Sequence, residues 1–216
     1  MNLRLFLFVL ALLMLLAVVH VGVISYTFSK LGLTRESAFV LLFCALFGSL
    51  INIPLFTIKS LKPVKIRDIP LAGLLRPYLN QHRGRTLIAV NVGGCLIPVL
   101  FSVYLFLTQP LMLHEILLGI ALVTLVSYTF SFPVPGTGIG MPMIIAPVTA
   151  AIIAILLNNE FSAPLAYISG TMGVLIGADV LNFRHIAQMG AMIASIGGAG
   201  TFDGIFMTGI LAVLLA

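Results

Sequence analysis

The scarcest thing in this sequence is charge. Asp, Glu, Lys and Arg make up 8% of its 216 residues, against about a quarter in an ordinary soluble domain. No water-facing surface can be built from so few charged groups, so a soluble globular domain is excluded. Tryptophan is absent, which leaves tyrosine to supply any aromatic anchoring at a membrane interface. Only two cysteines occur, Cys44 and Cys95, both inside apolar runs. They read as buried thiols, not as a disulfide or a metal pair. No cofactor and no metal site is expected.

What fills the sequence is apolar. Hydrophobic residues make up 61% of it, and the mean hydropathy is +1.21. Runs of roughly 20 apolar residues recur along the chain, the mark of membrane-spanning helices. A β-barrel would show short alternating segments instead, so these unbroken runs exclude it. The expected fold is an all-α, polytopic transmembrane helix bundle with about seven spans, forming one domain over residues 1–216. The spans run from about Leu3 to Ile24, Ser37 to Phe56, Leu87 to Leu107, Leu111 to Tyr128, Ile139 to Leu157, Ala163 to Leu181, and Gly190 to Leu215. The first could pass for a signal peptide, but no convincing cleavage site follows it, and it reads as an uncleaved helix.

The net charge of +5 would suggest a nucleic-acid partner in a soluble protein. Here the basic residues cluster between apolar runs, and no nucleic acid is expected. Lys59, Lys62, Lys65, Arg67, Arg76, Arg83 and Arg85 place seven of the 11 Lys and Arg residues in and beside one loop, residues 57–86. The positive-inside rule puts that loop in the cytoplasm, within reach of anionic lipid headgroups. With seven spans the N-terminus is then cytoplasmic and the C-terminus external. Lys30 and Arg35 fall outside and run against the rule.

Two short strings hint at an internal repeat. SYTFS occurs at Ser25–Ser29 and at Ser127–Ser131, and Gly94–Pro98 (GCLIP) resembles Gly173–Gly177 (GVLIG). Together they pair spans one to three with spans four to six, the arithmetic of a 3+3 inverted repeat plus one helix. Chance is the competing explanation in so apolar a chain.

Several spans contain groups that a simple lipid-facing helix does not need. Span two ends in Asn52-Ile-Pro54. Span three holds Asn91-Val-Gly-Gly94 and then Pro98. Span five is preceded by Pro133-Val-Pro-Gly-Thr-Gly-Ile-Gly-Met-Pro142. Span seven holds Ser195, Gly197, Gly198, Gly200 and Thr201 ahead of Asp203. Proline removes a backbone donor, and glycine permits an unwound segment or close approach. Away from water, backbone groups freed in this way must face protein or a polar cavity. Close packing through small residues is the plainer explanation for the single glycines.

Asp179 and Asp203 are the two acids set within or against apolar spans, and embedded carboxylates usually mark a working site. Three readings stay open. The pair holds a proton or small cation and couples it to solute movement. Alternatively, the two carboxylates share one proton and activate water for peptide cleavage. In the third, each acid is structural, with Asp179 meeting Asn182, Arg184 or His185. Asn52, Asn91, Ser195, Thr201 and Asn182, with Gly197, Gly198 and Gly200, would line the site.

The strings AYISGTMGVLIGADVLN and SIGGAGTFDGIFMTGILAVLL, with NVGGCLIP and PVPGTGIGMP, resemble the DUF1614 family of prokaryotic membrane proteins. That resemblance implies a prokaryotic cell membrane and carries no activity. Gly200-Thr-Phe-Asp203 followed by Gly-Ile-Phe-Met-Thr is also similar to the second aspartate segment of presenilin-like intramembrane aspartyl proteases. This weaker resemblance implies an Asp179/Asp203 catalytic dyad. Against it, Ala178 precedes the first acid where that pattern has tyrosine, Phe202 replaces a glycine, and no Pro-Ala-Leu motif follows. The leading expectation is therefore a small-solute or ion transporter. A protease and a structural or lipid- or partner-binding membrane protein are the alternatives. Membrane lipids and a proton or small cation are the expected partners. A homodimer suits a chain of this size, though no span singles out an interface.

Overall fold

The structure is a computed structural model that describes residues 22–23, 26–60, 85–134, 138–191, 193–198 and 204–216. The first expected span lies almost wholly outside the described residues, as does most of the basic loop. Among the described residues the fold is carried by α1 (Arg35–Gly48), α2 (Ile97–Thr108), α3 (Leu113–Phe130), α4 (Ile145–Leu157), α5 (Ser162–Val174), the short α6 (Phe183–Ile186) and α7 (Gly204–Leu215). A π-helical turn, Val92–Leu96, leads into α2, and a second, Leu175–Val180, prolongs α5.

The helices start where their sequences can satisfy their first amides. Thr34 caps α1 by accepting the Ser37 N–H at 3.3 Å. At α3 the Glu115 carboxylate turns back to accept the Met112 N–H at 3.1 Å. That carboxylate also takes the Asn158 side-chain amide at 3.1 Å, which ties the start of α3 to the end of α4.

Contacts between named residues fix the helix directions. Gly119 of α3 lies against Ser169 of α5, and Gly177 lies against Thr124 and Ser127, so α3 runs parallel to the α5 segment. The Ser162 hydroxyl donates to the Ala216 carbonyl at 3.1 Å while Gly170 abuts Thr208, so α7 runs antiparallel to α5. Ala150 meets Gly170 while Ala146 joins Val174 in one apolar cluster, which orients α4 with α7. Going down α2 from Phe101 and along α5 from Tyr167, whose rings meet edge-on at 4.9 Å, both chains arrive at Gly197. The long helices therefore alternate in direction. One end of the bundle, here the junction end, collects the end of α1, both π-turns and the start of α7. The core between the ends is aliphatic and aromatic, with Leu105, Val123, Leu165, Tyr167 and Val213 buried.

At the junction end the expectation of an all-α fold is corrected. β1 (Asn52–Lys59) pairs antiparallel with β2 (Arg85–Asn91), and β2 pairs parallel with β5 (Ile193–Ile196), giving the order β1-β2-β5. A small hairpin of β3 (Phe132–Val134) and β4 (Gly138–Gly140) joins α3 to α4. Spans two, three and seven are thus composite, each part strand and part helix. The strand segments INIPLFTIK, RTLIAVN and IASI are short apolar stretches rich in β-branched residues, which hydropathy alone does not separate from helix. Pro54 is tolerated because β1 is an edge strand, and the ladder slips between Pro54 and Phe56. Cys95 is buried as expected, whereas Cys44 is exposed on α1 among Val40, Phe43 and Phe47.

The two strings of the suspected repeat fare differently. Thr27 and Thr129, equivalent residues of the two SYTFS copies, each return a 2.8 Å hydrogen bond to the carbonyl four residues back. The glycine strings at Gly94 and Gly173 lie toward the same end of antiparallel helices. An inverted repeat would set them at opposite ends.

Gly93 makes a tight backbone joint. A Cβ there would run into the backbone of Ala45 and Ser49 in α1. Gly93→Ala should therefore lower the stability of the purified chain by about 1–3 kcal/mol or more, because rigid backbone cannot yield. Gly22→Ala, where a Cβ meets open space, should leave stability unchanged or raise it. Thermal unfolding in one mild detergent compares the two variants.

Candidate functional site

Among the described residues singled out in the sequence, Asn52, Asn91, Ser195, Gly197 and Asp179 lie at the junction end. β2 delivers Asn91 to the point where the strand becomes a π-turn. Asn91 is 1% exposed, so each polar atom of its side chain needs a partner. Its amide nitrogen donates to the Ser49 carbonyl at 2.7 Å and to Asn52 Oδ1 at 3.1 Å. Its oxygen accepts the Gly94 N–H at 2.7 Å, capping the π-turn that follows. β1 brings in Asn52, and β5 brings Ser195, whose hydroxyl donates to the same Asn52 oxygen at 2.6 Å. One buried amide thus links the end of α1, all three strands and the start of the α2 segment.

Beyond Ser195 the chain turns sharply. Gly197 and Gly198 take φ of +82° and +93°, a left-handed conformation that side chains rarely adopt. The Gly198 N–H closes the turn on the Ser195 carbonyl at 3.2 Å. A Cβ on Gly94 would strike the Gly197 carbonyl, and one on Gly197 would lie 2.6 Å from Cys95 Cβ. The two glycine segments are in backbone contact. The turn directs the Gly197 N–H outward to Asp179, whose Oδ2 accepts it at 2.8 Å.

Asp179 reaches this position from the second π-turn. A π-turn adds a residue to the helix and leaves carbonyls out of the regular ladder, a feature common at functional sites. Asn182 satisfies one of them, donating to the Gly177 carbonyl at 3.0 Å. Asn182 thus serves the π-turn that carries Asp179. Arg184 and His185 are exposed on α6. Along the α5 segment Asp179 lies about 25 Å from Ser162 at 1.5 Å per residue. The carboxylate therefore sits toward one end of the bundle, not at its middle.

Gly200, Thr201 and Asp203 lie outside the described residues. α7 begins immediately after Asp203, and Ile205 packs in one cluster with Leu175 and Ala178, next to Asp179. Among the described residues no three His, Cys, Asp or Glu side chains gather into a metal-binding group. Asp179 instead accepts a backbone N–H, that of Gly197. Sequence reading missed the Ser49 carbonyl, the Gly94 N–H and Cys95, because backbone partners leave no mark on residue type. The one available signal was the Asn91-Val-Gly-Gly94 spacing, in which an amide precedes two glycines.

The geometry defines a helix-rich protein with a strand–helix junction built around a carboxylate. Among the described residues two helices, Leu113–Phe130 and Ser162–Val180, are long and apolar enough to cross a membrane. The sequence profile of one family matches residues 46–215, and the chain belongs to it: DUF1614, described as proteins of unknown function. No curated protein and no solved structure matches the chain, so the weaker resemblance to presenilin-like proteases gains no support.

The network predicts graded costs. Asn91→Ala removes three hydrogen bonds and strands the Gly94 N–H, and should destabilise the chain by about 2–4 kcal/mol. Ser195→Ala should cost about 1 kcal/mol. The double variant Asn52→Ala/Ser195→Ala should cost less than the sum of its singles, because both remove the same bond. Chemical unfolding in detergent measures all of these.

Proposed function

We propose that the chain is a multi-span protein of a prokaryotic cell membrane that binds a proton or small cation at Asp179 and couples it to movement of a small solute. The observation that carries this reading is the Asp179–Gly197 hydrogen bond. It joins a carboxylate to a left-handed turn where three chain segments leave regular helix together. A carboxylate in an apolar setting is costly unless it is used. Taking up a proton or cation would weaken its hold on the Gly197 N–H and free the turn, linking occupancy of the site to the start of α7. Asn52, Asn91 and Ser195 hold that turn in register. Large apolar side chains exposed along α1, α2 and α3, among them Phe47, Leu107 and Leu125, support contact with lipid. The position of the site toward the basic end of the chain favours access from the cytoplasm. The basic residues would keep that end, with the N-terminus, inside and the C-terminus outside.

One arrangement favours a second reading, peptide hydrolysis by a pair of carboxylates sharing a proton. α7 rises antiparallel to the α5 segment, begins directly after Asp203, and packs Ile205 near Ala178.

Reconstitution into vesicles separates the two. Under the first reading, the wild-type chain carries a proton or sodium flux and cleaves no embedded peptide. Asp179→Asn, which keeps the size of the side chain and removes its charge, should then cut the flux at least tenfold. A flux equal to wild type in that variant would sink the proposal. Peptide cleavage abolished equally by Asp179→Asn and Asp203→Asn would establish the second reading instead.

A further inference from the structure

The second π-turn ends on a rung made by a side chain. A π-turn spaces its hydrogen bonds five residues apart, where an α-helix uses four. The Leu181 N–H reaches the Ile176 carbonyl at 2.9 Å, five residues back. The next carbonyl in line is that of Gly177, and the Asn182 side-chain amide donates to it at 3.0 Å, again across five residues. Asn182 is 6% exposed and Gly177 is buried, so water offers neither group a ready substitute.

That spacing decides where Asp179 points. Each residue of an α-helix turns the chain by about 100°, and π spacing turns it less. Accumulated along Leu175–Val180, the shortfall at Asp179 approaches one residue's turn. It brings Asp179 round to the Gly197 N–H, 2.8 Å from its Oδ2, while Val180 takes the outward direction and is 49% exposed. With α spacing Asp179 would face the way that Val180 now does.

Asn182 sets the balance between the two spacings. In α spacing the Leu181 N–H belongs to the Gly177 carbonyl, four residues back. It is free to serve Ile176 because Asn182 has taken its place on Gly177. Without that amide the buried Gly177 carbonyl loses its partner, and an unpaired buried carbonyl is costly. The nearest remedy is to reclaim the Leu181 N–H, which restores α spacing and turns Asp179 away from Gly197.

We infer that Asn182 is a positioning residue for the Asp179 site: its side chain holds the π-turn, and the π-turn aims the carboxylate at Gly197. Asn182 acts through the Gly177 backbone. Its effect on flux rests on the proton or cation reading above, whereas its effect on the direction of Asp179 does not.

The test has two arms, both on the full chain. Ile–Gly pairs occur at 139–140, 176–177 and 196–197. Labelling with carbonyl-13C isoleucine and 15N glycine therefore reduces the amide spectrum in detergent to those three glycines, and Ile196→Val identifies the Gly197 signal by removing it. The Gly197 amide proton, bonded to a carboxylate, should resonate downfield, and Asp179→Asn should move it upfield. Asn182→Leu, similar in size but without an amide, should move it the same way by a similar amount. Asn182→Gln, which keeps an amide on a longer stem, should recover part of the wild-type position. In vesicles, Asn182→Leu should cut the flux at least fivefold. Asp179→Asn/Asn182→Leu should carry no less than Asp179→Asn alone, because both substitutions act at one carboxylate. Melting in neutral detergent shows which variants are folded, and Asn182→Ala takes the place of Asn182→Leu if the leucine unfolds the chain. A folded variant without the amide that keeps the wild-type Gly197 resonance would overturn the assignment, as would one that keeps the wild-type flux. A wild-type chain with no flux would end the transport reading and leave the resonance arm to decide the aim of Asp179.

Discussion

Every departure from regular helix in this chain frees backbone groups that must find partners away from water, and the architecture of the junction end is the set of answers. The Gly177 carbonyl, released by one π-turn, takes the Asn182 amide. The Gly94 N–H, at the start of the other, takes the Asn91 oxygen. The Ser49 carbonyl, just past the end of α1, takes the Asn91 nitrogen. The Gly197 N–H, turned out by a left-handed backbone, takes Asp179. All four partners are amide or carboxylate groups, supplied by three side chains, Asn91, Asp179 and Asn182, each within a few residues of a glycine. An unpaired group here would cost more than its bond is worth, so the polar side chains of the junction are held in place by the breaks they serve.

This same constraint explains what was legible in the sequence. The positions of the breaks could be read, because Asn91-Val-Gly-Gly94 and the glycine-rich stretch before Asp203 are costly in an apolar run without a purpose. Asn52, Asn91, Ser195, Gly197 and Asp179, each identified from residue type and setting alone, are linked in space at one site. The strands were not legible. NIPLFTIK and RTLIAVN are short apolar-centred stretches continuous with apolar helices, and their pairing depends on a partner some 30 residues away and on β5 far beyond it. The bond from the Asn182 amide back to Gly177 was not legible either, because it depends on the π-turn between them. Cys44 was expected to be buried because its neighbours are apolar, but apolar neighbours do not distinguish a core from a lipid-facing surface.

The two ends of the bundle have different characters. At the far end acids and bases are mixed, and Glu115 ties together the ends of two helices through Met112 and Asn158. The junction end combines a small sheet, an embedded carboxylate and a basic rim. The GCLIP and GVLIG strings serve different contacts there: Gly94 abuts Gly197, whereas Gly173 and Gly177 abut α3.

The bond between Ser195 and Asn52 spans 143 residues of sequence, and β5 pairs with β2 across more than a hundred. A chain made from its N-terminus presents Asn52 and Asn91 long before Ser195 and Gly197 exist. Until the last segment emerges, the edge of β2 that β5 will cover and the Asn52 oxygen that Ser195 will reach wait without their native partners. The order of synthesis therefore makes the chain from Ile193 onward the closing piece of the site. A nascent chain halted before residue 193 holds every helix from α1 to α6 and lacks the strand that locks them.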